Sequence, residues 1–267
     1  MAQRWLRAVS CNFWSREMKL QDLVHFLDDL LKIKDIQDES LNGLQVANRG
    51  EVSKVALAVD ASQRAFERAS EIKADFIFVH HGLFWARPFS LTGPMYWRIR
   101  VLVESGIALY AAHLPLDLHS ELGNNAQIKR VLGWPVVGDF GDYHGTIIGR
   151  EVRFEEAVPF SSLVETIHKK LECTPQAWNF GPDKVQRLGY VSGGGLSLLQ
   201  QAIDAGMDAY VTGEPKHSFY WIAKEAGINV VFAGHYATET LGVKAVGEAI
   251  TKELGLETVF MDLPTGH

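Results

Sequence analysis

The chain has 267 residues, 47% of them hydrophobic and 22% charged, enough for one large or two modest domains with a real buried core. A formal net charge of −6, without any Lys/Arg-rich run, argues against nucleic acid as the main partner. Only Cys11 and Cys173 are present, with no CxxC, which argues against a disulfide framework or a thiolate zinc site and fits a reducing, cytoplasmic setting; no apolar run approaches the roughly 18 residues that cross a membrane.

Residues 1–17 hold Arg4, Arg7 and Arg16 and no acid before Glu17, a pattern compatible with a weak targeting segment. A loose extension is the simpler reading, because Met18-Lys19-Leu20 opens a clean amphipathic helix. In it Leu20, Leu23, Val24, Leu27, Leu30 and Leu31 recur at helical spacing on one face. Asp35 to Asn48 is polar, is broken by Asn42-Gly43, and reads as a loop. Val52 to Val59 reads as a strand, after which Asp60 or Ser62 can cap a helix from Gln63 to Ile72.

Phe76-Ile77-Phe78-Val79 is apolar without a period of two, as expected of a strand buried on both faces in a parallel sheet. It runs directly into His80-His81-Gly82. A helix over Tyr96 to Ser105 stops at Gly106, and a strand from Ile107 runs into His113-Leu114-Pro115-Leu116-Asp117. A helix follows from about Asn124 to Leu132. The glycine-rich stretch 133–149, interrupted by Pro135, reads as a boundary before a strand over Thr146 to Phe154.

The pattern then returns. Leu188 to Ser192 reads as a strand closed by Gly193-Gly194-Gly195, and Asp208-Ala209-Tyr210-Val211-Thr212-Gly213-Glu214 parallels Asp75 to His81. Glu225 to His235 likewise parallels Glu104 to His113. This is a diverged strand–helix–strand–helix–strand repeat, and it implies an α/β fold with mainly parallel sheets. A helix over Leu241 to Leu254 and a short strand at Thr258 to Met261 close the chain.

Three strand ends therefore carry His80 and His81, His113 and Asp117, and His235 and Glu239, at the carboxyl edge where ligands collect in such sheets. Adjacent histidines on an extended chain point apart and chelate one ion badly, but they can serve two ions. His235 and Glu239, four apart, share a face if a helix starts after Gly234. Histidine nitrogens with carboxylates suit Zn, Mn, Fe or Co and suit Ca poorly. Two such ions would clamp and activate a water for hydrolysis. Taken singly, each group has a plainer reading as a cap, a hydrogen-bonding residue or a solvated charge. His113, His119 and His217 can be ligand supports, substrate contacts or surface residues, and the triple glycine reads as close backbone packing rather than a phosphate cradle. No Gly-x-Ser-x-Gly elbow is present.

Asn42-Gly43-Leu44-Gln45-Val46, Val79 to Trp85, His113 to Asp117, Glu121 to Asn125 and Gly234 to Glu239 resemble, in order, the family of GTP cyclohydrolase 1 type 2 homologues. These are dinuclear metal-centre, ring-hexamer proteins related to NGG-interacting factor. The resemblance covers Met18 to Asp262. It implies metal ligands at His80, His81, Asp117, His235 and Glu239, with Glu239 bridging, His81 and Asp117 on one ion, and His80 and His235 on the other. It implies a first α/β module over 18–140 plus 236–267, a second over 141–235, residues 1–17 outside both, and a homohexameric ring. The activity it points to is metal-dependent hydrolysis of a nucleotide, a pterin precursor or another phosphorylated small molecule, with His113 or Glu214 moving protons. The alternative is a non-enzymatic metal-binding ring. Trp85 and Trp97 are aromatics suited to a subunit contact, and Trp85 equally suits ordinary core filling.

Overall fold

The computed structural model describes residues 17–267, so the segment preceding Glu17 in the expected extension lies outside the described residues. In chain order the first part comprises β1 (Met18–Lys19), α1 (Leu20–Leu31), β2 (Gly43–Val46), β3 (Glu51–Val52), β4 (Lys54–Asp60) and α2 (Gln63–Glu71). It continues with β5 (Phe76–His81), α3 (Gly93–Ser105), β6 (Ala108–Ala111), α4 (Leu114–Leu118) and α5 (Asn124–Leu132). Next come β7 (Val136–Tyr143), β8 (Thr146–Pro159), α6 (Phe160–Leu171), β9 (Gln176–Trp178) and β10 (Lys184–Tyr190). The last elements are α7 (Leu199–Asp204), β11 (Ala209–Thr212), α8 (Tyr220–Ala226), β12 (Asn229–Phe232), α9 (His235–Leu254) and β13 (Glu257–Phe260).

One sheet has the order β13-β4-β5-β6-β2, with β13, β4, β5 and β6 all parallel. Its central strands alternate between two cores. Val55, Leu57, Phe76, Phe78, Ala108 and Tyr110 pack under α1 and α9, and the intervening Ala56, Ala58, Ile77, Val79, Leu109 and Ala111 pack under α2 and α3. Burial on both faces is why Phe76 to Val79 shows no polar alternation in the sequence. Phe78 is fully buried, and truncating it to Ala should cost about 3–5 kcal/mol. The second sheet has the order β7-β8-β10-β11-β12-β9, with β10, β11 and β12 parallel and the outer strands antiparallel. The fold is thus α/β with two parallel-centred sheets, and the run β4-α2-β5-α3-β6 recurs as β10-α7-β11-α8-β12.

Two readings from sequence need correction. The polar stretch 35–48 is not all loop, because β2 adds to the edge of the first sheet, antiparallel to β6. Its half-buried edge position explains the weak apolar signal. The stretch 133–149 contains β7, which forms a hairpin with β8 and belongs to the second sheet.

Candidate metal centre

The carboxyl ends of the parallel strands bring the expected residues together. His80 and His81 close β5, with ring centroids 4.6 Å apart. They do not diverge as an ideal strand would require, because each ring is held from behind. His80 Nδ1 lies 2.9 Å from the carbonyl oxygen of Ala112, and His81 Nδ1 lies 2.8 Å from Asp60 Oδ1 at the end of neighbouring β4. Those contacts leave both Nε2 atoms facing Glu239: His80 Nε2 is 3.5 Å from Oε1, and His81 Nε2 is 3.3 Å from Oε2.

Glu239 projects from the second turn of α9. His235 occupies the first helical position, so the spacing of four puts both on one face. His235 Nε2 is 3.2 Å from Glu239 Oε1, and its Nδ1 is 2.9 Å from Glu214 Oε2. Asp117 on α4 accepts hydrogen bonds at Oδ1 from Asn124 Nδ2 (2.8 Å) and Ser192 Oγ (3.0 Å), which leaves Oδ2 at 3.6 Å from His80 Nε2. Asn124 Oδ1 in turn accepts the Gly242 N–H of α9, tying the Asp117 side of the centre to the Glu239 helix.

Gly193 shows why the triple glycine stands where it does. Its φ of +59° suits glycine, its N–H donates to Thr238 Oγ1, and a Cβ there would overlap Glu239 Oε1 and come within 3.1 Å of His235 Nε2. The backbone passes this close because nothing projects from it.

Two buried polar atoms in the centre have no hydrogen-bond partner among the described residues, His80 Nε2 and Glu239 Oε2. Such orphans are rare in interiors and mark a missing partner. Burial alone would push His80 down, but the Asp117 and Glu239 carboxylates outweigh it and hold the imidazole up to about 10. Burial likewise opposes charge on His235, and Glu239 and Glu214 raise it to about 9. Burial disfavours the Glu239 carboxylate, yet the surrounding histidines hold its pKa far below the usual range. The carboxylates therefore make the centre a negative well that favours positive charge at the histidines. Three sets each place one ligand atom per residue within 4.8 Å of the others: His80–Asp117–Glu239, His81–His235–Glu239 and His80–His81–His113. The donor set fits transition-metal ions, and Glu239 is common to the first two sets. These sets split the five residues differently from the pairing that the resemblance implies.

His113 and Glu214 are both near but differ in placement. Glu214 lies behind His235. His113 Nδ1 lies 3.1 Å from both oxygens of Asp38, which also accepts the backbone N–H groups of Ser40 and Leu114 and the Asn42 amide. Burial opposes the Asp38 charge, and His113 holds its pKa down at about 2. The His113 ring stands 5.2 Å from that of His80 and 5.7 Å from that of His81. His119 instead accepts the N–H groups of Glu121 and Leu122, and His217 opens a short helical turn before α8.

Sequence reasoning misses Asp38, Asp60, Asn124 and Ser192. Asp60 carries a signal, since it ends a strand beside the one that ends in histidines. The helix-cap role open to it in the sequence is filled by Ser62 alone, which accepts the Ala65 N–H.

The pattern of the family Duf34/NIF3 (NGG1p interacting factor 3) matches residues 18–266. A protein of Archaeoglobus fulgidus named GTP cyclohydrolase 1 type 2 homolog is 45% identical, over 93% of this chain and 99% of its own length. The crystal structure of TTHA1606 from Thermus thermophilus is similar with a TM-score of 0.84 at 42% identity, covering 94% of this chain and 100% of that one. The structure of protein ybgI gives a TM-score of 0.88 at 34% identity, again over 94% of this chain and 100% of that one.

Proposed function

The chain belongs to the Duf34/NIF3 family, and from that premise we propose that it is a dinuclear metal-dependent hydrolase acting on a nucleotide, a pterin precursor or another phosphorylated small molecule. Two divalent transition-metal ions, Zn, Mn, Fe or Co, would be held by His80, His81, Asp117, His235 and Glu239, with Glu239 shared. The observation that carries this reading is the pair of orphaned buried atoms, His80 Nε2 and Glu239 Oε2, at the meeting point of two ligand sets. Bound there, such ions supply Lewis acidity and a water activated near neutral pH.

The remaining work falls to the chain's own residues. Asp38 receives the Nδ1 proton of His113 and fixes that tautomer, leaving Nε2 to take a proton from, or return it to, a group beside the centre. Of the two proton-transfer candidates, His113 keeps that role. Glu214 and Asp60 accept the Nδ1 protons of His235 and His81, which aims each Nε2 inward. Asn124 and Ser192 hold Asp117 in register.

We further propose a homohexameric ring, working in the cytoplasm. Tyr96, Trp97 and Val103 on α3, which are 48–64% exposed, are apolar surface suited to a subunit contact. No helix among the described residues is long and apolar enough to cross a membrane. The test is turnover of nucleotides and phosphoesters by metal-loaded and metal-stripped protein. Activity that disappears on stripping and returns on reloading is expected. Full metal content with no turnover across the panel would favour the non-enzymatic ring.

A further inference from the structure

A cavity of about 400 Å³ lies on the far side of His113 from the metal ligands, and none of its lining residues is a Lys or Arg. We propose that this cavity is the subsite for a planar, nitrogen-rich heteroaromatic ring of the purine class carried by the substrate. The inference rests on the hydrolase reading for what the ring is attached to, but not for the binding of the ring itself.

Position speaks for it first. The His113 imidazole lies 5.2 Å from the His80 ring on one side and 5.1 Å from the Trp85 indole on the other. A ring in the cavity therefore sits one imidazole away from the metal centre, with its substituent in reach of it.

The walls are suited to a flat ligand. Trp85 is 39% exposed, and its indole N–H donates to the Gly82 carbonyl, which fixes the orientation of the ring without hiding its face. Tyr143 is 37% exposed on the facing hairpin and meets His144 edge-on at 4.5 Å. Exposed, oriented aromatic faces on a cleft beside a reactive centre favour a flat π-system.

The hairpin backbone points the same way. His144 and Gly145 form the β7–β8 turn with φ of +54° and +87°. Two positive φ values are the signature of a tight hairpin turn that Asn-Gly or Gly-Gly fills without cost. A histidine held there carries strain that the turn does not need, and it lines the cavity.

Polarity selects the ligand class. The Asp38 oxygens are taken by His113, Ser40, Asn42 and Leu114. The Glu39 carboxylate has no side-chain partner among the described residues, and with the Thr146 hydroxyl it leaves acceptors for ring N–H groups. With no Lys or Arg lining it, the cavity offers a phosphate no permanent positive charge, and among the substrate classes proposed it favours those that carry a heterocycle.

Calorimetric titration of the full-length protein with guanosine, and with ribose 5-phosphate as a ring-less control, tests this in metal-stripped and metal-loaded samples. Guanosine should bind both forms, and Trp85→Leu and Tyr143→Leu should each weaken it about tenfold. Trp221→Leu, at an exposed tryptophan on α8 that does not line the cavity, should leave it unchanged. Tyr143→Leu, on an exposed hairpin, decides the matter should Trp85→Leu fold poorly. Absence of guanosine binding at millimolar concentration, equal binding by the cavity variants, or equally tight binding of ribose 5-phosphate would overturn the assignment. Guanosine binding with no turnover of the nucleotide and phosphoester panel by any metal-loaded form would leave the subsite standing and remove the hydrolase reading.

Discussion

Asp75 before β5 and Asp208 before β11 do the same work in the two β-α-β-α-β runs. Each carboxylate accepts two successive backbone N–H groups of the neighbouring chain segment, Ser53 and Lys54 leading into β4 in one run, Gln186 and Arg187 within β10 in the other. The strand ends have diverged. β5 finishes in His80-His81, whereas β11 leads into Gly213-Glu214, which supplies a support for His235. The third strands look alike in sequence, since His113 and Asp117 after β6 are four apart, as His235 and Glu239 after β12 are. They are used differently because each helix starts three residues past its strand, whereas His113 comes one residue sooner after β6 than His235 does after β12. His235 is the first residue of α9 and shares a face with Glu239, whereas His113 precedes α4 in a non-helical conformation (φ −93°, ψ −105°) and turns to Asp38. A one-residue shift of the histidine relative to the helix start thus separates the proposed metal-ligand pair from a proposed ligand with a proposed proton-handling neighbour.

The severest way to break this comparison is at Gly193. Gly193→Ala should remove most bound metal, because the new Cβ displaces the Glu239 carboxylate, while the positive φ adds about 1–2 kcal/mol of destabilisation. Metal content together with a thermal melt reads the two effects separately. Next, the two matched histidines should part company. His235→Ala should lose one ion, whereas His113→Ala should keep both ions and lose turnover by about 10²–10⁴-fold. Loss of an ion from His113→Ala would mean that the third cluster, His80–His81–His113, is a true ligand set.

Asn124→Ala sharpens the link between Asp117 and α9. It leaves the buried Gly242 N–H and Asp117 Oδ1 each short of a partner, and should cost about 1–3 kcal/mol by chemical denaturation. The smallest effect concerns pH. In metal-stripped protein His80 and His235 are raised to about 10 and about 9, above the ordinary imidazole value of 6.5. The folded state binds these protons more tightly than the unfolded state, so the stabilisation is complete below pH 6.5 and is lost as pH rises through 9 to 10. Melting temperature of the stripped protein should fall over that window, and metal loading should flatten the fall.

Much of this was legible in the sequence because the relevant signals are local. Phe76 to Val79 announces a strand buried on both faces, and a strand that stops at two histidines announces chemistry at its end. The repeat was visible because Asp75 and Asp208 stand at matching places. Contacts between distant segments were not legible. Asp60 reaches His81 only through strand register, and Asp38 reaches His113 across 75 residues of chain. Neither has a periodicity to betray it. The β2 strand was hidden for another reason, since a four-residue, half-buried edge strand has almost no apolar pattern to show.

Glu239 joining two ions in one centre is the central claim, and metal stoichiometry by elemental analysis of gently purified, reloaded protein measures it directly. Two transition-metal ions per chain are expected in the unaltered protein, one in Asp117→Asn and close to none in Glu239→Gln. A single ion per unaltered chain, or Glu239→Gln protein that still holds one ion tightly, would contradict it.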